Sequence, residues 1–290
     1  MEESVSTLPN GQVISFFDYG DSQDSLFFHH ATQAAGPLSR ALKHAADVYR
    51  FRIIEVVRPG YGNTSSLPDR NILDFAPLNL DLADHLGIEK FGIIAYSGGG
   101  PHALASTYLS KERCVASIVV AGMASFVESD FNFYEGMDES NEREWLSSQQ
   151  DLEKFKTEIS HYVEQWSGYD FEKLKSIFNS GAENHLSEDW IEAFSINSQY
   201  SLKHGPEGIL EDSLAYLKPW GFSPSDIHSP VQIWAGDADV IAPTSHARWL
   251  HQKIAGSELC ILEGKDHNSV VEPAWDSGFP WIREIFNSMR

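Results

Sequence analysis

Short apolar runs alternate along this chain with stretches in which apolar residues recur at three- and four-residue spacing. Several of the short runs are apolar on both alternating faces, which is typical of strands covered by helices on two sides. The predicted strands are residues 13–19, 25–29, 51–57, 91–96, 114–121, 231–235 and 258–262. The first of them follows Pro9-Asn10-Gly11, a hairpin-type turn.

The stretches with helical spacing lie between these strands and predict amphipathic helices. These helices are residues 37–48, 72–86, 99–111, 245–254 and 275–289. The alternation predicts an α/β fold, in which a mostly parallel sheet with right-handed crossovers is flanked by helices. In such a sheet the functional site lies at the carboxyl ends of the strands, where the loops converge.

The alternation stops between residues 126 and 222, where only helical patterns occur. The helices predicted there are residues 141–166, 171–180, 188–202 and 207–217. This segment holds 17 of the chain's 35 aromatic residues, enough to build a packing core of its own and to line a pocket. We therefore predict a helical cap, residues 126–222, inserted into a core domain formed by residues 1–125 and 223–290.

The formal net charge of −21 is the most unusual bulk property of the chain. Such a charge argues against nucleic acid or an anionic membrane surface as a partner, and a solubilising acidic surface is favoured over a functional acidic patch. No run approaches 18 consecutive apolar residues, and the acidic start, residues 1–4, does not fit a secretory signal. The expectation is a cytoplasmic monomer or homodimer that binds a small molecule and neither nucleic acid nor membrane.

The cysteines and histidines do not suggest a metal centre. The two cysteines, Cys114 and Cys260, lie in or beside apolar strand-like runs and are expected to be buried free thiols. His161 and Glu164 are one turn apart on a predicted helix, but a single pair is not a metal site. We expect no metal and no cofactor.

A candidate nucleophile follows the strand at residues 91–96, in the sequence Ala95-Tyr96-Ser97-Gly98-Gly99. A serine flanked at both second neighbours by small residues forms a nucleophile elbow, a strand-to-helix turn so tight that larger side chains would collide. The turn exposes the Ser97 hydroxyl and directs the N–H of Gly98 toward a developing oxyanion. The strand before it and the helix after it are the context that this motif requires.

A serine hydroxyl becomes a strong nucleophile only when a base takes its proton and an acid orients that base. The strand at residues 231–235 leads into Gly236-Asp237-Ala238-Asp239, so two aspartates compete for the role of the acid. Asp239 is favoured over Asp237 because it lies beyond the turn and shortly before a helix signal. His267 follows the last predicted strand and precedes the last helix, the position from which a base could reach Ser97.

A second oxyanion donor is expected from the loop after the strand at residues 25–29, which reads His29-His30-Ala31-Thr32-Gln33. The backbone N–H of Thr32 is the candidate, paired with that of Gly98. His30 is interpreted as a brace of this loop rather than as a group that transfers protons.

Together these motifs resemble the α/β-hydrolase superfamily over nearly the whole chain. Members carry a His-Gly loop after an early strand, an Asp-Arg-Pro-Gly-x-Gly-x-Ser segment, the elbow, a helical lid, a Gly-x-x-Asp turn and a Gly-x-x-His loop. Gly236-Asp237-Ala238-Asp239 and Gly264-Lys265-Asp266-His267 match as they stand. His30-Ala31-Thr32 has alanine for the usual glycine, and Val57-Arg58-Pro59-Gly60 has valine for the usual aspartate.

The resemblance implies a serine hydrolase with the triad Ser97, Asp239 and His267. Relatives that use an aspartate nucleophile are excluded by Ser97. The leading hypothesis is hydrolysis of a carboxylester, thioester or lactone in a small apolar substrate through an acyl-enzyme. C–C bond hydrolysis or lyase chemistry on the same triad, and a ligand-binding protein without activity, remain alternatives because fold alone does not choose among them.

Overall fold

Eight strands form a single sheet in this computed structural model, which describes residues 2–179 and 186–290. They are β1 (Glu3–Thr7), β2 (Val13–Tyr19), β3 (Ser25–His29), β4 (Arg52–Val56), β5 (Phe91–Tyr96), β6 (Cys114–Val120), β7 (Val231–Gly236) and β8 (Glu258–Leu262). The spatial order is β1-β2-β4-β3-β5-β6-β7-β8. Only β2 runs against its neighbours, and the pairs from β4 to β8 are all parallel. The predicted α/β class with a mostly parallel sheet is confirmed.

The strand β1 is absent from the sequence prediction. It pairs with β2 across the turn at Pro9-Asn10-Gly11. Its sequence Glu-Ser-Val-Ser-Thr contains one apolar residue, Val5, which is itself 53% exposed. An edge strand that buries no apolar face leaves no hydrophobic signal, so only its pairing reveals it.

Helices cover both faces of the sheet. They are α1 (Arg40–Tyr49), α2 (Ala76–His85), α3 (Gly99–Ser110), α9 (Thr244–Lys253) and α10 (Val271–Ser288). The apolar sides of α1 and α10 pack on one face, whereas α2, α3 and α9 pack on the other. The helix α10 begins four residues before the predicted residue 275, because Val271 and Ala274 are buried in the same cluster as its later turns.

Between β6 and β7, the described part of the chain forms five further helices. They are α4 (Glu139–Gln150), α5 (Leu152–Ser167), α6 (Phe171–Phe178), α7 (Glu188–Leu202) and α8 (Glu207–Tyr216). Part of this insertion has its own aromatic core, in which the rings of Phe178, Trp190 and Phe194 lie 5.1–5.3 Å apart. Packing of this kind is the role expected for most aromatic residues in the segment.

The prediction of one helix over residues 141–166 is wrong. Asp151 has φ −149° and ψ 94°, which ends α4, and its carboxylate accepts the N–H of Lys154 as the N-cap of α5. The apolar spacing continues across this break, so periodicity alone does not show it. The helix predicted over residues 171–180 ends at Phe178, and residue 180 lies outside the described residues.

The two cysteines are both free, as expected, and Cys114 is buried. The prediction that Cys260 is buried is wrong in degree, because this residue is only partly covered. His161 and Glu164 form a 3.7 Å pair on an exposed helix surface, with each side chain more than four-fifths exposed. Among the residues that the structure describes, none of the helices combines the length and apolar character needed to cross a bilayer.

Candidate active site

Ser97 lies between β5 and α3 at the carboxyl edge of the sheet, with its backbone in the left-handed region at φ +52°. An L-residue pays steric strain there, and such strain is retained where the surroundings hold it in place. Two hydrogen bonds hold this turn: Ser97 N–H donates to the Val120 carbonyl at 2.8 Å, and Gly100 N–H donates to the Ser97 carbonyl at 2.8 Å. The turn therefore has the backbone geometry expected of a nucleophile elbow.

The glycines after Ser97 are required by close contacts. A Cβ on Gly98 would stand 2.3 Å from Thr32 Oγ1, and a Cβ on Gly99 would stand 2.2 Å from the His29 carbonyl oxygen. The helix α3 thus begins directly against the loop that follows β3. This approach brings the elbow and the predicted oxyanion loop into contact.

A continuous chain of hydrogen bonds joins the three predicted catalytic residues. The Ser97 hydroxyl lies 2.8 Å from His267 Nε2, and His267 Nδ1 lies 2.8 Å from Asp239 Oδ2. The His267 and Asp239 residues are 7% and 3% exposed, while Ser97 is partly open. The Asp239 carboxylate accepts a hydrogen bond from Nδ1–H of His267. In this tautomer Nε2 carries no proton and can accept the proton of Ser97.

Asp239 is fixed by its own loop. Its Oδ1 accepts the backbone N–H groups of Ile241 at 2.8 Å and Ala242 at 2.9 Å, which leaves Oδ2 for His267. The competing aspartate, Asp237, is exposed and accepts the N–H of Gly264 at 2.6 Å. The structure therefore brings Asp239, and not Asp237, to the imidazole.

Tyr96 supports the histidine loop and is absent from the sequence prediction. Its ring lies 5.5 Å from the His267 ring, and its hydroxyl donates to Asn268 Oδ1 at 2.7 Å. Burial, followed by the nearby Asp239, raises the pKa of Tyr96 well above its usual value, so the hydroxyl is a donor at neutral pH. Tyr96 occupies a variable position of the elbow motif, and the sequence carries no signal for this role.

The predicted oxyanion donors lie close together. The backbone nitrogen of Thr32 is 3.3 Å from the point where a Gly98 Cβ would stand. Across the described residues, neither the Thr32 N–H nor the Gly98 N–H donates to a protein acceptor. Two neighbouring amides of this kind are available to bind a negatively charged oxygen.

His30 braces the predicted oxyanion loop, and none of its hydrogen bonds to described residues joins the Ser97–His267–Asp239 chain. Its Nδ1 donates to the Ala31 carbonyl at 2.7 Å, and its Nε2 accepts the Arg58 N–H at 3.1 Å. Burial and then the Arg58 charge hold the pKa of His30 well below its usual value. The imidazole is therefore neutral, which agrees with its interpretation as a structural residue.

A buried ion cluster anchors α8 beside the site. Asp212 is fully buried, and its carboxylate binds Arg58 at 2.7 Å, Arg70 at 2.6 Å and the Tyr61 hydroxyl at 2.9 Å. Burial alone would raise the pKa of Asp212, but Arg58 and Arg70 outweigh it and hold that pKa well below the usual value. Asp212 was not singled out in the sequence, where it is one of several acidic residues on a helix; only its arginine partners distinguish it.

A small apolar cavity of ≈ 70 Å³ lies between α7 and the loops around Ser97. Ala31 and Tyr96, the neighbours of Thr32 and Ser97, form part of its wall. The remaining walls are mostly aromatic and aliphatic: Phe28, Leu38, Leu42, Trp190, Phe194, Val271 and Trp275. No group of three His, Cys, Asp or Glu residues suited to a metal ion occurs among the described residues.

The comparisons with known proteins agree with this architecture. The chain is 27% identical over 227 residues to an uncharacterized hydrolase, YcgS, of Bacillus subtilis, covering 75% of each protein. It is also 27% identical to the serine hydrolase BPHL of Mus musculus over 91% of this chain and 80% of that protein. An esterase of Exiguobacterium antarcticum superposes with a TM-score of 0.70 at 17% identity, covering 97% of this chain and 99% of that chain.

A profile of the alpha/beta hydrolase fold matches residues 25–274, most of the chain. This match begins at β3 and extends into α10, so it includes both the elbow and the loop of His267. The chain belongs to the α/β-hydrolase fold family.

Proposed function

We propose that this protein is a serine hydrolase that cleaves an ester-type bond, a carboxylester, thioester or lactone, in a small apolar substrate. The observation that carries the proposal is the chain of two 2.8 Å hydrogen bonds from Asp239 through His267 to Ser97. The name of the mouse relative, a serine hydrolase, and that of the structural neighbour, an esterase, support the same class.

In the proposed reaction, Ser97 Oγ attacks the substrate carbonyl carbon while its proton passes to His267 Nε2. Asp239 holds the imidazole in the required tautomer and stabilises the imidazolium. The N–H groups of Thr32 and Gly98 bind the oxyanion of the tetrahedral intermediate. The imidazolium then gives its proton to the leaving oxygen or sulfur, and an acyl-enzyme forms.

Water completes the cycle by the same route in reverse. His267 removes a proton from a water molecule, whose oxygen attacks the acyl carbon. The second tetrahedral intermediate collapses, the proton returns from His267 to Ser97 Oγ, and the carboxylic acid is released. No oxidant, metal or further group is needed to balance these steps.

The apolar cavity supports a substrate with an aromatic or aliphatic group. The described residues of its walls carry no charged side chain, and apart from the rings of Tyr96 and the tryptophans, Asn197 and Ser39 are the polar residues among them. Ligand pockets usually measure roughly 300–1,000 Å³, so the ≈ 70 Å³ cavity must widen to hold such a group. Because α7 forms one wall, we propose that residues 126–222 act as a cap on a core of residues 1–125 and 223–290, and that outward movement of α7 admits the substrate.

Replacement of the nucleophile tests the proposal. We expect Ser97→Ala to lower the turnover of p-nitrophenyl butyrate by about 10⁴-fold or more, on the precedent of other serine hydrolases. The matched control is Ser106→Ala, because Ser106 is buried in α3 and its hydroxyl has no hydrogen-bond partner among the described residues.

A fluorophosphonate probe provides a second readout that does not depend on the choice of substrate. It should label the wild type and the Ser106→Ala variant but not the Ser97→Ala variant. Wild-type turnover by Ser97→Ala would contradict the assignment of the nucleophile. Labelling of Ser97 without turnover of any carboxylester, thioester or lactone would contradict the assigned substrate class instead.

A further inference from the structure

Tyr216, at the end of α8, contacts the elbow from outside the Ser97–His267–Asp239 chain. Its hydroxyl donates to the Gly98 carbonyl at 2.8 Å. Gly98 is one of the two residues whose N–H is proposed to bind the oxyanion. A hydrogen bond to its carbonyl fixes the Gly98–Gly99 peptide unit, which follows directly on the Ser97–Gly98 unit that carries this N–H.

The same phenol also contacts the second proposed oxyanion residue. A Cβ on Gly98 would stand 2.3 Å from Thr32 Oγ1 and 2.5 Å from Tyr216 Oη, so both hydroxyls lie on one side of Gly98. The phenol of Tyr216 therefore lies where two loops meet that are separated by more than sixty residues in sequence.

The position of Tyr216 is itself fixed by buried contacts. The residue is 5% exposed, and its ring lies 5.9 Å from the His102 ring and 6.1 Å from the Trp145 ring. Asp212 lies four residues earlier on α8, on the same face of the helix. The ion cluster around Asp212 therefore anchors the turn of α8 that presents Tyr216.

That cluster also reaches the oxyanion loop from its other side. Arg58 binds Asp212 and donates from its guanidinium to the His30 carbonyl, and its backbone N–H donates to His30 Nε2. His30 in turn donates to the carbonyl of Ala31, the residue before Thr32. Thus α8 contacts the Gly98 side directly and the Thr32 side through Arg58 and His30.

We propose that Tyr216 is a positioning residue that sets the spacing of the two oxyanion donors, so that seating of α8 and formation of the oxyanion hole are coupled. The inference rests on the proposed function. Tyr216 does not touch the reacting atoms. It acts through the Gly98 carbonyl, which fixes the backbone that follows the Gly98 N–H, and through the adjacent Thr32 side chain. A helix of the inserted segment thereby supplies part of the support for the catalytic centre, beyond covering the substrate.

The test is Tyr216→Phe, which removes one oxygen and keeps the ring in place. Misplacement of a catalytic group by a fraction of an ångström costs about 10-fold or more in rate. We expect kcat for p-nitrophenyl butyrate to fall about 10-fold while KM changes less than about two-fold, because the lost interaction acts on the transition state. The matched control is Tyr19→Phe, which also loses one phenol hydroxyl, the one that donates to Asp47 at 2.9 Å, and which lies outside the Asp212 cluster and the loops of Gly98 and Thr32.

A transition-state readout separates positioning from a general structural defect. An aryl-alkyl trifluoromethyl ketone forms a hemiketal oxyanion with Ser97, whereas the corresponding methyl carbinol binds without one. We expect Tyr216→Phe to weaken binding of the ketone by about the same factor by which kcat falls. The affinity for the carbinol should stay unchanged. Equal weakening of both ligands, or wild-type kcat and ketone affinity, would overturn the proposal.

Two further measurements keep the outcome decisive. If Tyr216→Phe does not fold, Thr32→Val and Thr32→Ser replace it as the test variants. Thr32→Val should lose more affinity for the ketone than Thr32→Ser, because only the serine variant keeps the hydroxyl. Equal losses in the two variants would contradict a role for the Thr32 hydroxyl.

The proposed function and the positioning role fail in different ways. If the wild type neither turns over esters nor reacts with fluorophosphonate, the proposed function itself fails. A reactive wild type with an unaffected Tyr216→Phe variant refutes only the positioning role.

Discussion

At the scale of single residues, two aspartates after the same strand have different partners. Asp239 meets His267 at 2.8 Å, and its second oxygen accepts two backbone N–H groups. Asp237 instead accepts the N–H of Gly264 and is exposed. The sequence favours Asp239 because it lies beyond the turn, and the hydrogen bonds of the fold bring this aspartate to the imidazole.

The two asparagine variants test this difference. We expect Asp239→Asn to lower kcat by about 10⁴-fold, because an amide cannot hold the imidazole in the required tautomer or stabilise its charged form. Asp237→Asn keeps an oxygen acceptor for Gly264 and should stay within a few-fold of the wild type. Steady-state kinetics on p-nitrophenyl butyrate measure both, and a larger loss in Asp237→Asn would reverse the assignment.

At the scale of elements, the start of α3 packs against the loop after β3. The Gly99 backbone approaches the His29 and His30 carbonyls so closely that a Cβ would stand 2.2 Å and 2.7 Å from their oxygens. The helix can therefore begin directly at the elbow, with Ser97 ahead of its first turn. The run of three glycines is thus explained by packing as well as by the elbow motif.

This packing predicts different costs for two glycine-to-alanine changes. Gly99→Ala forces two backbone segments apart and should lower the free energy of unfolding by about 3 kcal/mol, with loss of ester turnover. Gly256→Ala lies at φ +76° with no atom within 4 Å of a Cβ, so only backbone strain of about 1 kcal/mol is expected. Urea denaturation at pH 7.5 compares the two variants, and equal costs would contradict the role of the contact.

At the scale of the whole molecule, buried titratable groups make stability depend on pH. Among the described residues, burial is the first cause of a lowered pKa in four histidines, which are His29, His30, His102 and His246. The pKa values of His102 and His246 fall to about 4. Burial raises the pKa of Glu55 well above its usual value, which has the opposite effect on the pH dependence.

The sign follows from proton uptake. Between pH 6.5 and about 4, the unfolded chain protonates these histidines while the folded chain keeps them neutral, so the folded state loses stability as pH falls. In that range Glu55 can stay protonated in the folded state while it is ionised in the unfolded chain. This proton stabilises the folded state as pH falls and offsets the loss of stability due to one of the four histidines. We expect the free energy of unfolding to fall as pH is lowered from 6.5 toward 4, measured by urea denaturation at several pH values.

His246 offers a single-site check of this pH dependence. Its Nδ1 accepts the Ala124 N–H at 3.0 Å, and its Nε2 lies 2.9 Å from the Phe133 carbonyl, so the neutral ring joins α9 to the start of the insertion. Each titrating proton contributes about 1.4 kcal/mol per pH unit. His246→Gln should therefore reduce the slope by about 1 kcal/mol per pH unit between pH 6 and 5, and an unchanged slope would assign the dependence to other groups.

The sequence by itself determined seven of the eight strands, the α/β class and the positions of Ser97 and His267. Each of these features depends on neighbours in the chain: apolar periodicity, small residues around a serine, or a histidine just after a strand. The elbow is therefore visible before the fold is known. The edge strand β1 and the break at Asp151 were missed, because neither changes the apolar pattern.

The tertiary structure alone decided which groups meet across long separations in sequence. The bond between Tyr216 and Gly98 spans 118 positions, and the pairing of Arg58 with Asp212 spans 154. A polar residue on a helix carries no mark of a partner so far away, because its burial depends on how the helix docks. The contacts of α8 with Gly98 and with the loop after β3 were set by that docking, since they depend on distances that exist only in the folded chain.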